Sequence, residues 1–574
     1  MEETLESLEA KRKSLYQKLE EIGDFRRGII SVNYRKCGKK NCACAKPGRL
    51  GHGPQYLWNT TIKGKSYAKG LRLGQELQKY MEETVRYREF RRLCEELVQL
   101  NEKISNLRPV VEIQDKDERE ALKKKLPNDL QEEIEKELSR LVVLSLRDKE
   151  RQGHVDLEAL EVHIRSSMHS VGSKLLERLI NSDGGDYRGR TIRSEKGEVF
   201  EFKEYRDKNL LTVLGPVIVQ RAYYYDQDSG EGYCPKDVAL DIAETSFSPG
   251  VRRMMARVGA YRPFGLGHED IKEMAGIEVG PKAIERISHR LGEEVEGFYQ
   301  REGSQFLSGK IVPLRPVGTM YIGMDGTGVP VVKAETANRK GKGEQGQAKT
   351  REAKLGCVFT QTRVDEKGYP KRDKDSTSYV GAIEGTETFG NRIYQEALRR
   401  GLERAQKVCV IGDAAPWIWN IAEEHFYGAI QIIDLYHARQ HYWTAARAAF
   451  GSHQKKLNQW TERRRKELDE GKVEEVIKAI QRLGVSTPEQ KEILEGEIAY
   501  FEKNKARMRY ADFRRQSLFV GSGVVEAGCR TVIGQRLKQS GMHWTVKGAN
   551  NIIDLRCCIL SNRWEDFWEE RASA

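Results

Sequence analysis

Three acidic residues lie where a purely structural role for a carboxylate is hard to explain. Asp325, in Met-Asp-Gly-Thr-Gly, and Asp413, in Ile-Gly-Asp-Ala-Ala-Pro, each follow residues typical of a buried strand. Glu526 lies at the start of an apolar helix rich in small residues. A carboxylate at the end of a buried strand points into the crevice above the sheet. Each acid alone could cap a helix or close a turn, but together they predict a site for a hard divalent cation.

The chemistry that three such carboxylates suit is phosphoryl transfer. Mg²⁺ and Mn²⁺ prefer oxygen ligands, and two such ions about 3.5 to 4 Å apart hold the attacking and leaving oxygens of an in-line displacement. Water or a DNA 3′-hydroxyl would attack, so the protein need not supply a nucleophile. We therefore predict two Mg²⁺ or Mn²⁺ ions bound by Asp325, Asp413 and Glu526.

A second candidate metal site has the spacing Cys37-x4-Cys42-x-Cys44-x7-His52. These four ligands could close a structural zinc site, which would supply folding energy to a polar segment that has few residues for a core. The spacing is not that of a standard CxxC pair, so unligated thiols in a basic loop are the alternative. The other cysteines are scattered, which indicates a reduced protein without a disulfide framework.

Positive charge is concentrated near the N-terminus. Residues 25–75 contain twelve Lys and Arg and no acid, which accounts for the whole net charge of +12. Such a segment suits binding to DNA phosphates, although a solvated basic face is the alternative. The predicted DNA-binding residues are Arg35, Lys36, Lys39, Lys40, Arg530, Lys538 and Trp544. Trp544 could stack on an unpaired base, or it could be a core residue.

The elements that carry the basic segment resemble a helical hairpin with an insertion. Leucine and isoleucine recur at helical spacing in residues 2–23 and again in residues 76–107, so these two helices could pair or dimerise. Residues 55–73 alternate like a small β-hairpin. Residues 112–137 predict a charged linker helix, which Pro127 would break.

The next part of the chain mixes helices and strands. Residues 156–180 predict a long helix and residues 198–225 predict strands. Ser248 can cap a helix whose first turn contains Pro249. Residues 268–290 have the cadence of a helix-turn-helix motif, although an ordinary helical hairpin explains them equally well.

An α/β pattern then positions the three acids. Five apolar runs predict strands, at residues 320–324, 355–364, 378–383, 408–412 and 429–433. Residues 445–512 are helical in pattern throughout, and residues 523–568 predict one or two further helices. Asp325 and Asp413 thus follow the first and fourth strands, and Glu526 follows the helical block.

Four groups of residues resemble the motifs of a known family. They are Asp325-Gly-Thr-Gly-Val-Pro330, Gly412-Asp-Ala-Ala-Pro-Trp-Ile-Trp419, Asp434-Leu-Tyr-His437, and the block from Gly521 to Arg530 that continues from Arg536 to Trp544. Occurring in this order, they resemble prokaryotic insertion-sequence transposases of the DDE class, most closely the Kra type, which is related to mutator-like transposases. The resemblance covers roughly residues 150–570.

The resemblance implies an RNase H-like catalytic core. Asp325 would lie on its first strand, Asp413 after its fourth, and Glu526 on a helix after an all-helical insertion. Asp434-x-x-His437 matches the Asp/Cys-x-x-His signature of mutator-like relatives and would lie near the metals, either as a structural hydrogen bond or in a direct role. The single Cys234 stands where relatives carry a cysteine pair, so a second zinc site there is not expected.

The expected fold is α/β within a multidomain α+β chain. It comprises an RNase H-like core with a helical insertion, and N-terminal helical and DNA-binding modules. The predicted domains are a helical hairpin with its basic insertion (1–110), a linker helix (111–150), a DNA-end-binding region (151–310), a catalytic domain (311–445 and 516–574) and a helical insertion (446–515).

These observations predict a DNA transposase. It would bind terminal inverted repeats, hydrolyse a phosphodiester and use the freed 3′-hydroxyl to attack target DNA, acting as a homodimer or higher oligomer. The alternatives are a domesticated DNA-binding regulator without catalysis and a nuclease of similar fold that only hydrolyses. No run of 18 apolar residues occurs, so no membrane partner is expected. The expected location is the prokaryotic cytoplasm, in association with the nucleoid.

Overall fold

The computed structural model is a chain of mixed helices and sheets, in agreement with the predicted α+β organisation. It describes residues 5–35, 52–62, 65–72, 74–107, 128–152, 156–193, 198–308, 317–337, 339–341 and 348–573. The chain divides into two compact units. The first unit contains residues 1–110, 296–546 and 560–562, and the second contains residues 111–295, 547–559 and 563–574. The C-terminal helices therefore belong mostly to the second unit, whereas the sequence placed them in the catalytic domain.

The N-terminal part of the first unit is a helical hairpin with an inserted sheet. Its elements are α1 Leu5–Glu20, β1 Ile29–Arg35, β2 His52–Ile62, β3 Lys65–Leu71 and α2 Gln75–Leu107. The two helices pack through Leu8, Leu15, Leu93, Leu100 and Ile104, so the predicted pairing is confirmed. The three strands form an antiparallel sheet in chain order. The predicted β-hairpin is β2–β3, and β1 is an additional strand.

The second unit begins with helices and a small sheet. Its elements are α3 Asn128–Gln152, α4 Leu157–Asn181, β4 Thr191–Arg193, β5 Val199–Thr212, β6 Gly215–Tyr225, β7 Gly232–Tyr233, α5 Pro235–Ala239, α6 Pro249–Tyr261, α7 Phe264–Ala275 and α8 Pro281–Leu307, which continues into residues of the first unit. Ser248 caps α6 as predicted, because its hydroxyl accepts a hydrogen bond from the Val251 N–H. Gly276 ends α7 with a left-handed backbone (φ +66°). The predicted helix–break–helix pattern is therefore present.

The main sheet of the first unit contains all five strands predicted from the α/β pattern. The strands and the small hairpin beside them are β8 Val317–Pro330, β9 Thr350–Gln361, β10 Arg363–Val364, β11 Pro370–Lys371, β12 Ser378–Ala382, β13 Ala405–Gly412 and β14 Ile430–Ile433. The order is β12-β9-β8-β13-β14. Strands β12, β9 and β8 are antiparallel neighbours, whereas β13 and β14 run parallel to β8.

One boundary of this sheet differs from the prediction. Strand β8 does not end at Asp325, because its pairing with β9 continues as far as Pro330 opposite Thr350. The carboxylate therefore lies within a strand, beyond the last residue that pairs with β13.

Helices complete the first unit. They are α9 Thr386–Arg399, α10 Pro416–His425, α11 Leu435–Phe450, α12 Gln454–Asp469, α13 Val473–Gln481, α14 Pro488–Asn504, α15 Tyr510–Arg515, α16 Gly523–Gly528 and α17 Gln535–Leu537, with a π-helical segment Cys529–Gly534 between the last two. The helical insertion, α11–α15, begins at Leu435 rather than at the predicted residue 446. Thr487 forms the predicted capping box. The chain continues with α18 Val546–Leu560 and α19 Trp564–Ser573. In the described ranges, no helix is both long and apolar enough to cross a bilayer.

Candidate active site

Asp325 and Asp413 are neighbours because their strands are paired in parallel. Met324 of β8 is opposite Gly412, the last residue of β13. Asp325 and Asp413 are the residues that follow this pair in the chain. Paired strands lie about 4.8 Å apart, and residues at equivalent register point to the same face. The sheet therefore brings together two carboxylates that are 88 residues apart in the sequence (413 − 325).

The Asp325 carboxylate is partly buried and held by two hydrogen bonds. Its Oδ1 accepts from the Gly326 N–H at 2.7 Å, and the Cys529 thiol donates to the same carboxylate. Burial raises the pKa of Asp325, and the charge of Asp413 raises it further. The two hydrogen bonds and the nearby His437 oppose this rise. The site therefore concentrates negative charge in a partly buried position, which favours binding of a cation.

Asp413 lies in the short turn between β13 and α10. Its Oδ1 accepts a hydrogen bond from the Ala415 N–H at 2.8 Å, which fixes the side chain against the backbone. Pro416 then begins the helix, where the missing N–H of proline costs no hydrogen bond. The turn holds a half-buried carboxylate at the end of a parallel strand.

Glu526 reaches this region because its helix packs unusually close to the sheet. A Cβ added to Gly528 would lie 2.7 Å from Tyr379 Cε1 and 2.9 Å from Leu355 Cδ2, and one added to Gly323 of β8 would lie 3.2 Å from Val525 Cβ. The absence of side chains at these glycines permits the contact. Cys529, three residues after Glu526, touches Asp325. Glu526 itself is exposed.

Asp434 links the elements that carry the acids. It is only 2% exposed, and its backbone N–H donates to the Gly412 carbonyl at 2.8 Å. Its Oδ1 accepts from the His437 N–H at 2.6 Å, and its Oδ2 accepts from the Ser522 N–H at 2.5 Å. The Ser522 hydroxyl then donates to Glu526 Oε1 at 3.1 Å. Asp434 therefore fills the structural role considered for the Asp-x-x-His signature, by fixing the starts of α11 and α16 beside Asp413.

The helical insertion contributes a second polar cluster beside the acids. His437 lies close enough to Asp325 to lower its pKa, and its ring is 5.1 Å from that of His441. His441 Nδ1 lies 2.6 Å from Glu497 Oε2, and its ring stacks on Tyr500 with centroids 3.5 Å apart. Burial, followed by the charge of Asp413, raises the pKa of Tyr500. Helix α14 of the insertion thus approaches the site predicted from the strands.

The donor atoms fit a hard divalent cation by their chemistry. Asp325, Asp413 and Glu526 offer carboxylate oxygens, the ligand type that Mg²⁺ and Mn²⁺ prefer. Within the described residues, however, no three His, Cys, Asp or Glu side chains lie close enough together to hold a metal ion. The structure therefore brings together the strands and the helix that carry the three acids, but their carboxylates are not close enough together to bind one metal ion.

The predicted DNA-contacting residues near the site differ in exposure. Arg530 and Lys538 are exposed, and Lys538 donates a hydrogen bond to the Thr327 hydroxyl, two residues beyond Asp325. Trp544 is 8% exposed, and its indole N–H donates to the Leu537 carbonyl at 3.1 Å. The ring also packs under the guanidinium of Arg536 at 4.9 Å. This burial favours the alternative considered for Trp544, that of a core residue, over stacking on a base.

Most of the candidate zinc ligands and DNA-binding residues near the N-terminus lie in the part of the chain that the structure does not describe. Cys37, Cys42, Cys44, Lys36, Lys39 and Lys40 lie outside the described residues. Arg35 and His52 are opposite each other at the ends of β1 and β2. The zinc site and the basic DNA contacts of this segment therefore remain predictions.

Four residues of the site were not predicted from the sequence. His441, Glu497, Tyr500 and Ser522 come together only through the packing of α11, α14 and α16. The one available signal was the spacing of His437 and His441, because residues four apart share a helix face.

Comparison with known proteins informs only the N-terminal segment. A family model described as a domain of unknown function (DUF6788) matches residues 5–72. This stretch contains α1, the strands β1–β3 and most of the basic segment. The comparison with curated proteins found no match to the chain. The matched stretch ends well before the first of the three acids.

Proposed function

We propose that this protein is a DDE-type DNA transposase that binds the ends of a mobile element, hydrolyses a phosphodiester and joins the resulting 3′-hydroxyl to target DNA. The observation that carries the proposal is the pairing of Met324 with Gly412, which makes Asp325 and Asp413 neighbours. Ser522 donates hydrogen bonds to both Asp434 and Glu526, which connects Glu526 to the same end of the sheet. The four family-like motifs thus meet in space as well as occurring in order.

The topology supports an RNase H-like core as part of this proposal. The first strand of the main sheet, β8, is central. On one side it pairs antiparallel with β9, and on the other it pairs parallel with β13. Asp325 lies on this first strand, Asp413 follows the fourth long strand, and Glu526 follows the insertion α11–α15. These are the positions that the family resemblance implies.

Each residue of the site has a role in the proposed reaction. Asp325, Asp413 and Glu526 would hold the two Mg²⁺ ions, which supply charge stabilisation for the attacking and leaving oxygens. Asp434 positions the helices that carry His437 and Glu526. Exposed Arg530 and Lys538 would contact the DNA backbone, because both belong to the segment that carries Glu526.

The first prediction concerns Asp413→Asn. The substrate is a plasmid carrying the gene with its flanking DNA, and nicking and joining of labelled 3′-ends are followed in MgCl₂. We expect the variant to lose nicking and joining by at least about 10³-fold while it binds the same DNA as wild type, because only the metal ligand is changed. Glu366→Gln, an exposed acid in the loop between β10 and β11, is the matched control and should remain active.

Three outcomes would contradict parts of the proposal. Activity retained by Asp413→Asn would refute the metal assignment. Nicking by the wild-type protein without joining would identify a nuclease that only hydrolyses. DNA binding by the wild-type protein without any metal-dependent cleavage would identify a non-catalytic regulator.

A further inference from the structure

Tyr500 of the helical insertion presents a buried hydroxyl that lacks a hydrogen-bond partner among the described residues. Buried polar groups in folded proteins are nearly always hydrogen-bonded, and leaving one without a partner costs free energy. A partner from outside the protein, such as water, an ion or a substrate, would satisfy such a group. The Tyr500 ring stacks on His441, whose ring is 5.1 Å from that of His437. His437 donates its backbone N–H to Asp434, and the Asp434 N–H donates to the carbonyl of Gly412, the residue before Asp413.

The ring of Tyr500 is fixed before any ligand arrives. It stacks on His441 with an interplanar angle of 15°, and its edge contacts Phe501 at 5.2 Å and 90°. His441 is held in turn by Glu497 at 2.6 Å. Phe501 is fully buried. These contacts hold the hydroxyl in place, so a ligand would not have to order it.

The hydroxyl can only act as a donor to an incoming anion. A tyrosine hydroxyl keeps its proton at neutral pH, because its ordinary pKa is about 10. Beside Asp413, the anionic group that the proposed reaction brings is a phosphodiester, whose non-bridging oxygens accept hydrogen bonds.

We propose that Tyr500 is a substrate-contacting residue supplied by the helical insertion, and that its hydroxyl donates a hydrogen bond to an oxygen of the phosphodiester bound beside Asp413. This inference rests on the proposed function, since it names a contact to that substrate. The insertion then has a direct part in the reaction, because one of its helices completes the site formed by the sheet.

The test compares Tyr500→Phe with Tyr510→Phe in the full-length protein. Tyr510 is the matched control, because it is a fully buried tyrosine of the same insertion whose hydroxyl already donates to the Ile433 carbonyl at 3.1 Å. Both variants remove one hydroxyl and keep the ring. The first measurement is urea unfolding without DNA or metal, and the second is the rate of nicking of the plasmid described above in MgCl₂.

The two hydroxyls should behave in opposite ways. Tyr500→Phe should unfold at an equal or higher urea concentration than wild type, because it removes a buried group without a partner. Its kcat for nicking should fall by roughly 10²-fold, because the variant loses one hydrogen-bond donor to the transition state. Its KM should stay within about threefold of the wild-type value. Tyr510→Phe should unfold at a lower urea concentration and keep its kcat within about threefold.

The outcomes separate this inference from the proposed function. Destabilisation of Tyr500→Phe comparable to that of Tyr510→Phe would show that the hydroxyl has a partner within the protein, and would overturn the inference. Unchanged nicking by Tyr500→Phe alongside an inactive Asp413→Asn would overturn the inference alone. Failure of the wild-type protein to nick would overturn the function and this contact together.

Discussion

At the scale of single residues, the site is built from carboxylates that repel one another. Asp325 is partly buried, and its pKa is raised first by burial and then by Asp413. Asp434 adds a third acid nearby, although its oxygens are occupied by the N–H groups of His437 and Ser522. Without a cation, the repulsion opposes folding; a bound cation would relieve it.

Asp325→Asn should therefore stabilise the metal-free protein while abolishing catalysis. The amide removes a partly buried charge, so the thermal midpoint in EDTA should rise by a few degrees. Adding MgCl₂ should raise the midpoint of wild type more than that of the variant. Scanning calorimetry with and without Mg²⁺ checks both effects. An equal response of the two proteins to Mg²⁺ would argue against Asp325 as a ligand.

At the scale of elements, the close packing of α16 on the sheet determines where Glu526 lies. Gly528→Ala should move this helix, because the added methyl would meet Tyr379 and Leu355 at less than 3 Å. We expect nicking to fall about 10²-fold, since small misplacements of reacting groups are costly. Gly523→Ala is the control on the same helix, because its Cβ would meet nothing within 4 Å. Equal activity of the two variants would contradict this role of the packing.

The helical insertion has its own pH-sensitive contact. Glu474, in the first turn of α13, accepts two hydrogen bonds from Arg509, which lower the pKa of Glu474 to about 2. A carboxylate with a depressed pKa stabilises the fold above its ordinary pKa of 4.5, and this contribution is lost as the pH falls toward 2.

Glu474→Gln should be less stable than wild type at pH 7, by less than about 1 kcal/mol because both partners are partly exposed. The difference should shrink between pH 4.5 and pH 2. Urea unfolding across this pH range measures it. A difference that stayed constant with pH would exclude the ion pair as its cause.

The sequence predicts which residues form helices and strands better than it predicts which residues contact one another in the folded protein. The strand segments that precede Asp325 and Asp413 were identifiable because buried strands are continuous apolar runs. The continuation of β8 past Asp325 was not, because Gly-Thr-Gly-Val-Pro has the composition of a turn and only pairing with β9 keeps it extended. Tyr500 and Glu497 were missed because their place beside the acids depends on how α14 packs. The burial of Trp544 likewise depends on tertiary contacts.

At the scale of the whole molecule, the net charge predicts strong salt dependence of DNA binding. The twelve basic residues of the segment 25–75 carry the excess. If six to ten phosphates are contacted, affinity should fall by roughly 10³ to 10⁵ between 50 and 200 mM salt. Replacing both Lys39 and Lys40 by Gln should reduce the slope of log K against log salt by about 2.

Fluorescence anisotropy with the flanking DNA measures this slope. Replacing exposed Lys491 of the helical insertion by Gln is the control for a change in charge alone, and should leave the slope unchanged. If the slope of log K against log salt is unaltered in the Lys39/Lys40 double variant, these two lysines of the basic segment do not bind DNA phosphates.

The division of the chain into interleaved units has a consequence for biosynthesis. Residues 111–295 form the second unit together with α18, whose Ile552, Ile553 and Leu555 are fully buried. A ribosome must translate the 251 residues 296–546 before that helix emerges, which takes roughly 10 to 50 s at elongation rates of about 5 to 20 residues per second. During this interval the nascent polypeptide exposes an apolar surface that its own later residues will cover. Productive synthesis should therefore depend on chaperones that act at the exit tunnel.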